Sequence, residues 1–352
     1  MATGRVYGVA LAGAGMVSGA HADAILELDV ADLRVVYSRT EKRAKPFADK
    51  YNVPWTCDYE EILKRDDVDI VDITTAPWRH ADMGIAAANA GKHVIVEKPM
   101  DVSLEKCDKL IDACRTNNVA LSVIFQNRFK KTMRRVRDYC HSGGLGTLLH
   151  ASAYVKWFRP QEYYDGDDWR GKITTEGGGV IFGQAGHSLD LLLWLFGPVS
   201  EVYARIATTP VHKNIDVENL GVVNIQFRNG ALGTLEAATS LYPGTPERLE
   251  LHGTRGTIVI EQGSIKMWEI KDPGPEDAPG DVAEETGTGA RDPMAFPITW
   301  HKLQIEDMCR AIDENREPAI NGREGRRLNE ICHYIYESAR GNKPVEIPEK
   351  AD

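Results

Sequence analysis

Cysteine and uninterrupted apolar sequence are both scarce in this chain, and each scarcity excludes a class. Six cysteines stand at 57, 107, 114, 140, 309 and 332, and none forms a C-x-x-C pair. Neither a zinc site nor a disulfide framework is indicated, which predicts reduced thiols in a cytoplasmic protein without a metal centre. No apolar run approaches the ~20 residues of a membrane span. The first residues lack the basic region and apolar block of a signal peptide, and residues 1–4 read as a short disordered lead. Positive charge is also in deficit: 42 Lys and Arg face 52 Asp and Glu, a formal net charge of -10. That balance argues against a nucleic-acid or membrane partner and leaves a small molecule as the expected ligand. What remains is a globular composition, 42% hydrophobic and 27% charged, in a chain of 352 residues. That length suits two domains and buries enough surface to need no covalent staples.

Strand and helix signals alternate through residue 126. Apolar runs at 5–11, 33–37, 68–74, 93–96 and 119–125 read as strands. Helical patterns lie between them, at 81–90 and at 104–117 with Ser103 as N-cap. This order implies βαβ units and a mainly parallel sheet covered on both faces. After a helix near 134–141 the texture changes to long β-type stretches at 148–158, 199–207, 220–227, 231–237, 248–252, 257–261 and 264–270. Asn229-Gly230 marks a hairpin, and one helix, 187–196, interrupts the run before Gly197-Pro198. Residues 272–297 read as a long loop, followed by helices near 303–315 and 324–340. The predicted fold class is α/β, with a dinucleotide-binding domain at 1–126 and a domain at 127–352 built on a mostly antiparallel sheet.

Gly13-Ala14-Gly15-Met16-Val17-Ser18 follows the first strand and opens the first helix. In that context Gly13 permits the tight turn, and Gly15 lets the backbone of Met16 and Val17 approach a pyrophosphate at the helix N-terminus. Ser18 stands where a third glycine would serve close packing. An acidic residue about 20 positions on would hold the ribose of NAD. Here the second strand ends in Ser38-Arg39-Thr40 instead. A hydroxyl and a guanidinium suit a 2′-phosphate, so NADP is the expected cofactor, with NAD the other option. Glu97-Lys98-Pro99 ends the strand at 93–96, where open α/β sheets place ligands, and a lysine there can exchange a proton with a reacting hydroxyl.

These motifs, with Pro77 and His80, the run Ala90 to Pro99, Asn127-Arg128-Phe129, Gly177-Gly178-Gly179, His187 to Leu192 and Tyr336 to Arg340, resemble the Gfo/Idh/MocA family across nearly the whole chain. The stretch Tyr163-Tyr164 and Trp169-Arg170-Gly171 is similar to members that oxidise sugars or their derivatives. The resemblance implies an N-terminal Rossmann doubly wound sheet and a C-terminal α/β domain with a large, open-faced, mostly antiparallel sheet. It also implies a homodimer or homotetramer formed through that sheet, and a cis bond at Lys98–Pro99.

By the same resemblance Lys98 and His187 are the catalytic pair that handles the proton while a secondary alcohol loses hydride. Ala76, Pro77, Trp78, His80, Glu97, Asn127, Trp169 and Arg170 join the glycines, Ser38, Arg39 and Lys98 around the cofactor. Lys98, Arg128, Trp157, Tyr163, Gln184 and His187 face the substrate, and His301 and Gln304 are further candidates. Asp190, one turn past His187, reads as an ordinary helix residue. Family members carry an acidic or amide residue four positions before the histidine, and here Gly183 stands in that place. A water, Gln184 or a tyrosine such as Tyr163 takes over, or the chemistry differs. The expected activity is NAD(P)-dependent interconversion of alcohol and ketone on a carbohydrate, sugar derivative or cyclitol. The alternatives are glycoside cleavage by oxidation and elimination with NAD, and a non-catalytic dinucleotide-binding regulator.

Overall fold

The computed structural model describes residues 4–282 and 297–349. In chain order its elements are β1 (Tyr7–Ala12), α1 (Ser18–Leu26), β2 (Ala31–Tyr37), α2 (Glu41–Tyr51), β3 (Trp55–Thr56), α3 (Tyr59–Leu63), β4 (Ile70–Ile73), α4 (His80–Asn89), β5 (His93–Val96), α5 (Leu104–Thr116) and β6 (Leu121–Val123). Then come α6 (Lys131–His141), β7 (Leu148–Lys156), α7 (Gln161–Asp165), α8 (Ile173–Glu176), α9 (Gly186–Phe196), β8 (Val199–Ala207), β9 (Leu220–Phe227), β10 (Leu232–Ala238), β11 (Arg248–Gly253), β12 (Gly256–Glu261) and β13 (Ser264–Ile270). The last are α10 (Thr299–Asp313), α11 (Gly322–Gly341) and β14 (Val345–Glu346). The chain divides into two units, Met1–Gln126 with Ile298–Asn329, and Asn127–Pro297 with Glu330–Asp352.

In the first unit the strands are continuous apolar runs because both faces of a parallel sheet are covered. β1, β4 and most of β5 are buried at every position. The sheet order is β3-β2-β1-β4-β5-β6, and every pair is parallel. The order therefore reverses between β1 and β4, the switch point at which such sheets take ligands. Ser103 caps α5 as expected, its hydroxyl accepting from the Lys106 N–H at 3.3 Å. The core of Tyr7, Val9, Leu11, Ile25, Ile70 and Ile95 also takes in Ile305, Met308 and Cys309 of α10. Residues 298–329, placed by sequence order in the second domain, thus lie in the first unit. An apolar stripe tells that a helix packs, not which core it packs into.

In the second unit the sheet runs β13-β12-β11-β7-β10-β9-β8-β14, and within it only the β7–β10 pair is parallel. β9 alternates buried and exposed residues, so one face of the sheet packs inward and the other is open. The open positions include Val222, Leu232 and Met267. Asn229 and Gly230 make the expected hairpin: Gly230 has φ 88°, and the Asn229 Oδ1 accepts from the Ala231 N–H at 3.0 Å. The loop read over 272–297 is described to residue 282, with a 3-10 turn at Pro275–Asp277. Residues 283–296 of that loop and residues 1–3 of the expected lead lie outside the described residues. Among the described residues no helix is long and apolar enough to cross a membrane.

Candidate functional site

The first unit assembles its site residues at the carboxyl ends of β1, β2, β4 and β5. Gly13 has φ 147°, and a Cβ there would stand 2.3 Å from the Thr74 Oγ1, so both its backbone and its surroundings demand glycine. Gly15 is the opposite case: a Cβ on it would meet nothing within 4 Å, because it faces open space over the start of α1. That bare backbone at a helix N-terminus is what a pyrophosphate requires, so the residues fit a dinucleotide. Met16 is exposed and Val17 is the N-cap residue of α1. Ser18 does more than keep the packing small: its hydroxyl accepts from the Gly15 N–H at 3.0 Å and lies 2.8 Å from the Thr74 Oγ1.

The Gly13 N–H donates to the Tyr37 carbonyl at 2.9 Å, which sets Ser38 and the exposed Arg39 beside the glycine turn. Beyond β4, Ala76 precedes the 3-10 turn Pro77–Arg79 that carries Trp78. His80 departs from the sequence expectation. Its ring is 1% exposed, with Nδ1 2.8 Å from the Pro99 carbonyl and Nε2 2.8 Å from the Thr75 carbonyl. It ties two loops together through both ring nitrogens. Gln304 is likewise structural, accepting from the Phe125 N–H and donating to the Val123 carbonyl.

After β5 the Lys98–Pro99 peptide is cis, as expected, and Lys98 is half-buried. Glu97 turns inward, away from the expected cofactor role. Its Oε2 accepts from the Lys98 N–H at 2.8 Å, and its Oε1 lies 3.2 Å from the Nε2 of His21. The other ring nitrogen of His21 lies 2.7 Å from Asp72 Oδ2. Burial alone would lower the His21 pKa, but the charges of Asp72 and Glu97 prevail and raise it to about 10. Burial likewise works to raise Glu97, yet His21 and Lys98 hold it down at about 2. His301, expected at the cleft, is buried with its ring centroid 5.2 Å from that of His21. Burial and the His21 charge push its pKa down to about 3, so it is neutral. Neither His21 nor Asp72 was singled out in the sequence. The available signal was a lone histidine three residues after Ser18, on the same helix face.

The second unit groups another set. Arg128 is buried and bidentate to Asp190, at 2.8 and 2.5 Å. Its guanidinium therefore anchors α9 rather than facing a substrate, and Asp190 is more than an ordinary helix residue. Arg170 lies over the rings of Trp169 and Tyr163 at 4.4 and 4.5 Å. It donates to the Tyr163 hydroxyl at 2.7 Å and pairs with Asp167 at 3.1 Å. Gln184 Nε2 donates to the same hydroxyl at 2.9 Å, and its Oε1 is buried without a hydrogen-bond partner among the described residues. Trp157 is buried beneath the guanidinium of Arg159. Asn127 is half-buried, and its Oδ1 too has no hydrogen-bond partner among the described residues. His187 is half-buried in the first turn of α9.

Glu218, also unread in the sequence, holds the approach to α9. Its carboxylate accepts from the N–H groups of Gly179 and Ile181 and from the Tyr336 hydroxyl, at 2.8, 3.0 and 2.9 Å. The question posed by Gly183 has an answer outside the expected set. Glu176 is 4% exposed and accepts from the Gly171 N–H at 2.6 Å, and its Oε1 would lie 3.2 Å from a Cβ on residue 183. A carboxylate from α8 thus borders the place where the pattern expects one four residues before the histidine.

Residues 7–125 match the oxidoreductase family with an NAD-binding Rossmann fold, and residues 133–259 match the GFO/IDH/MocA C-terminal domain. The chain belongs to the GFO/IDH/MocA family. It is an oxidoreductase with an NAD-binding fold. Among solved structures, the WlbA dehydrogenase of Bordetella pertussis, in complex with NADH and UDP-GlcNAcA, is 29% identical with a TM-score of 0.87, covering 98% of this chain and 100% of that one. The levoglucosan dehydrogenase of Pseudarthrobacter phenanthrenivorans is 26% identical over 84% of each chain. The myo-inositol 2-dehydrogenase of Thermotoga maritima is 22% identical over 97% of this chain and 98% of that one.

Two outcomes follow from this geometry. Gly183→Asp brings a second carboxylate against Glu176 and should cost about 1–3 kcal/mol in urea unfolding. Glu176→Ala in the same chain should recover most of that loss, and additive losses would show that the two positions do not meet. His301 has a folded pKa below its unfolded value of 6.5, so its neutral burial stabilises the first unit above pH 6.5 and that contribution is lost as the pH falls toward 3. His301→Phe should flatten the decline in melting temperature between pH 6.5 and 4, and an acid limb as steep as in the parent would refute this.

Proposed function

We propose that this protein is an NAD(P)-dependent dehydrogenase or reductase that interconverts a secondary alcohol and a ketone on a carbohydrate, sugar derivative or cyclitol. The observation that carries the reading is Lys98. It leaves the carboxyl end of β5, one strand from the switch point beside β4, with its backbone fixed by Glu97. The named relatives act on or bind polyhydroxylated molecules: a nucleotide sugar, levoglucosan and an inositol.

Bound nicotinamide supplies the hydride acceptor or donor. Gly13, Gly15, Met16 and Val17 would hold the pyrophosphate, with Ser38 and Arg39 at the adenosine ribose and Ala76, Pro77, Trp78, Asn127, Trp169 and Arg170 along the rest. Lys98 takes the proton from the reacting hydroxyl oxygen, and His187 holds and exchanges that proton from its helix start. Tyr163 and Gln184 offer fixed polar atoms to the other hydroxyls, and Trp157 an apolar backing. The absence of a carboxylate from Ser38-Arg39-Thr40 favours NADP over NAD. The open sheet face bearing Val222, Leu232 and Met267 suits a second copy of the chain. A single monomeric species in sedimentation would exclude that pairing.

The test is a panel of UDP-GlcNAcA, levoglucosan and myo-inositol with NAD and with NADP, followed at the reduced-nicotinamide absorbance. On the substrate that turns over, Lys98→Met should lower kcat by about 10²-fold or more, with the affinity for the reduced cofactor nearly unchanged. Undiminished turnover removes the proposed role. A higher kcat/KM with NAD than with NADP overturns the cofactor preference.

A further inference from the structure

The cluster behind β4 and β5 is not needed to hold the sheet together, since its strands are already apolar and close-packed. His21 is 0% exposed, as is Asp72, and Glu97 is 6% exposed. A neutral imidazole carries one N–H and one lone pair, so it can donate to only one carboxylate and must turn a lone pair toward the other. Here carboxylate oxygens face both nitrogens, at 2.7 and 3.2 Å. Only the doubly protonated ring satisfies both. The ring then leaves Glu97 with one oxygen on itself and the other on the Lys98 N–H, at 2.8 Å.

We propose that His21 is a positioning residue: an imidazolium, clamped by Asp72, that fixes the Glu97 carboxylate and through it the peptide from which Lys98 leaves the sheet. This rests on the role given to Lys98 above. The same helix face carries Ser18, whose hydroxyl holds the Gly15 N–H. One turn of α1 therefore ties the dinucleotide turn to the strand end that bears the lysine. The titratable side chains that face the ring are Asp72 and Glu97 at its nitrogens and His301 against its plane, with Lys98 beyond Glu97. His301 is neutral, so the positive charge of the cluster resides on His21.

His21, Glu97 and His301 also bring three potential ligand atoms within 4.8 Å of one another. Both nitrogens of His21 already face carboxylates, which is the arrangement of a proton-filled site.

The experiment needs no substrate. In the full-length protein, ¹⁵N-labelled histidine spectra at pH 8 should show the His21 imidazole carrying two protons, a signal lost in His21→Gln. A neutral ring at position 21, or a stoichiometric transition metal in the purified protein, would overturn the proposal. Lysine amines are then ¹³C-methylated and the Lys98 resonance is assigned by its loss in Lys98→Arg. His21→Gln should move the Lys98 titration midpoint by about one unit or more, with NADH affinity changed less than about threefold. Asp72→Asn keeps the side-chain shape and should move it in the same direction by less, which serves if the first variant does not fold. An unmoved Lys98 resonance in the variants that fold would reduce His21 to a structural ion pair and end the proposal. Full turnover in Lys98→Met would instead remove the dehydrogenase mechanism while leaving the coupling between His21 and Lys98 measurable.

Discussion

Two carboxylates buried at neighbouring strand ends need a positive charge between them, and the first unit meets that need with one imidazole. Asp72 sits within β4 and Glu97 directly after β5, strands that pair in register. Each lies where water cannot solvate it, so either alone would cost several kcal/mol. With His21 charged, the set becomes a chain of ion pairs that ends on the backbone N–H of Lys98. Removing His21 leaves two carboxylates facing each other in a low-dielectric interior, whereas removing Asp72 leaves the His21–Glu97 pair. The orientation of Glu97 is therefore fixed more firmly than a surface carboxylate could be, and the role proposed for Lys98 would benefit from that firmness.

The parts of this arrangement legible in sequence are those with a local signature. The glycine turn, the strand at 93–96, the Ser103 cap and the Asn229–Gly230 hairpin each carry their cause within a few residues. His21, Asp72 and Glu97 do not: 51 and 76 residues separate the histidine from its partners, and only the parallel sheet brings them together. α2 went unread for a different reason. Its sequence is dense in charge, contains Pro46 and buries only Ala44 and Ala48, so no apolar stripe marks it. β3, at two residues, is shorter than any pattern. The return of α10 to the first core shows the same limit, since a helix stripe does not name its partner.

In the second unit the Gly177-Gly178-Gly179 run is legible as a motif but not as a mechanism until its neighbours are seen. A Cβ at Gly178 would lie 2.1 Å from the Tyr336 hydroxyl, and one at Gly179 would lie 1.8 Å from the Glu218 carbonyl. The glycines therefore record close approach of α11 and of the segment before β9. Glu218 then converts that approach into three hydrogen bonds, despite the burial that raises its pKa. These bonds fix residues 179–181, and the Arg128–Asp190 pair fixes α9 from within. His187 is thus held from both sides of its own helix start.

This division of labour bears on why Gly183 is tolerated. A polar side chain at that position would have to share space with Glu176, whose carboxylate already accepts from the Gly171 N–H. Charge has moved from the loop before α9 to the end of α8 without leaving the neighbourhood. The amide of Gln184, one residue on, turns its nitrogen to Tyr163 and leaves its oxygen buried with no hydrogen-bond partner among the described residues. A buried acceptor without a donor costs about 1–3 kcal/mol. Under the proposed function, a substrate hydroxyl donating to that oxygen would recover the loss on binding, so Gln184 would reward polyhydroxylated ligands over apolar ones.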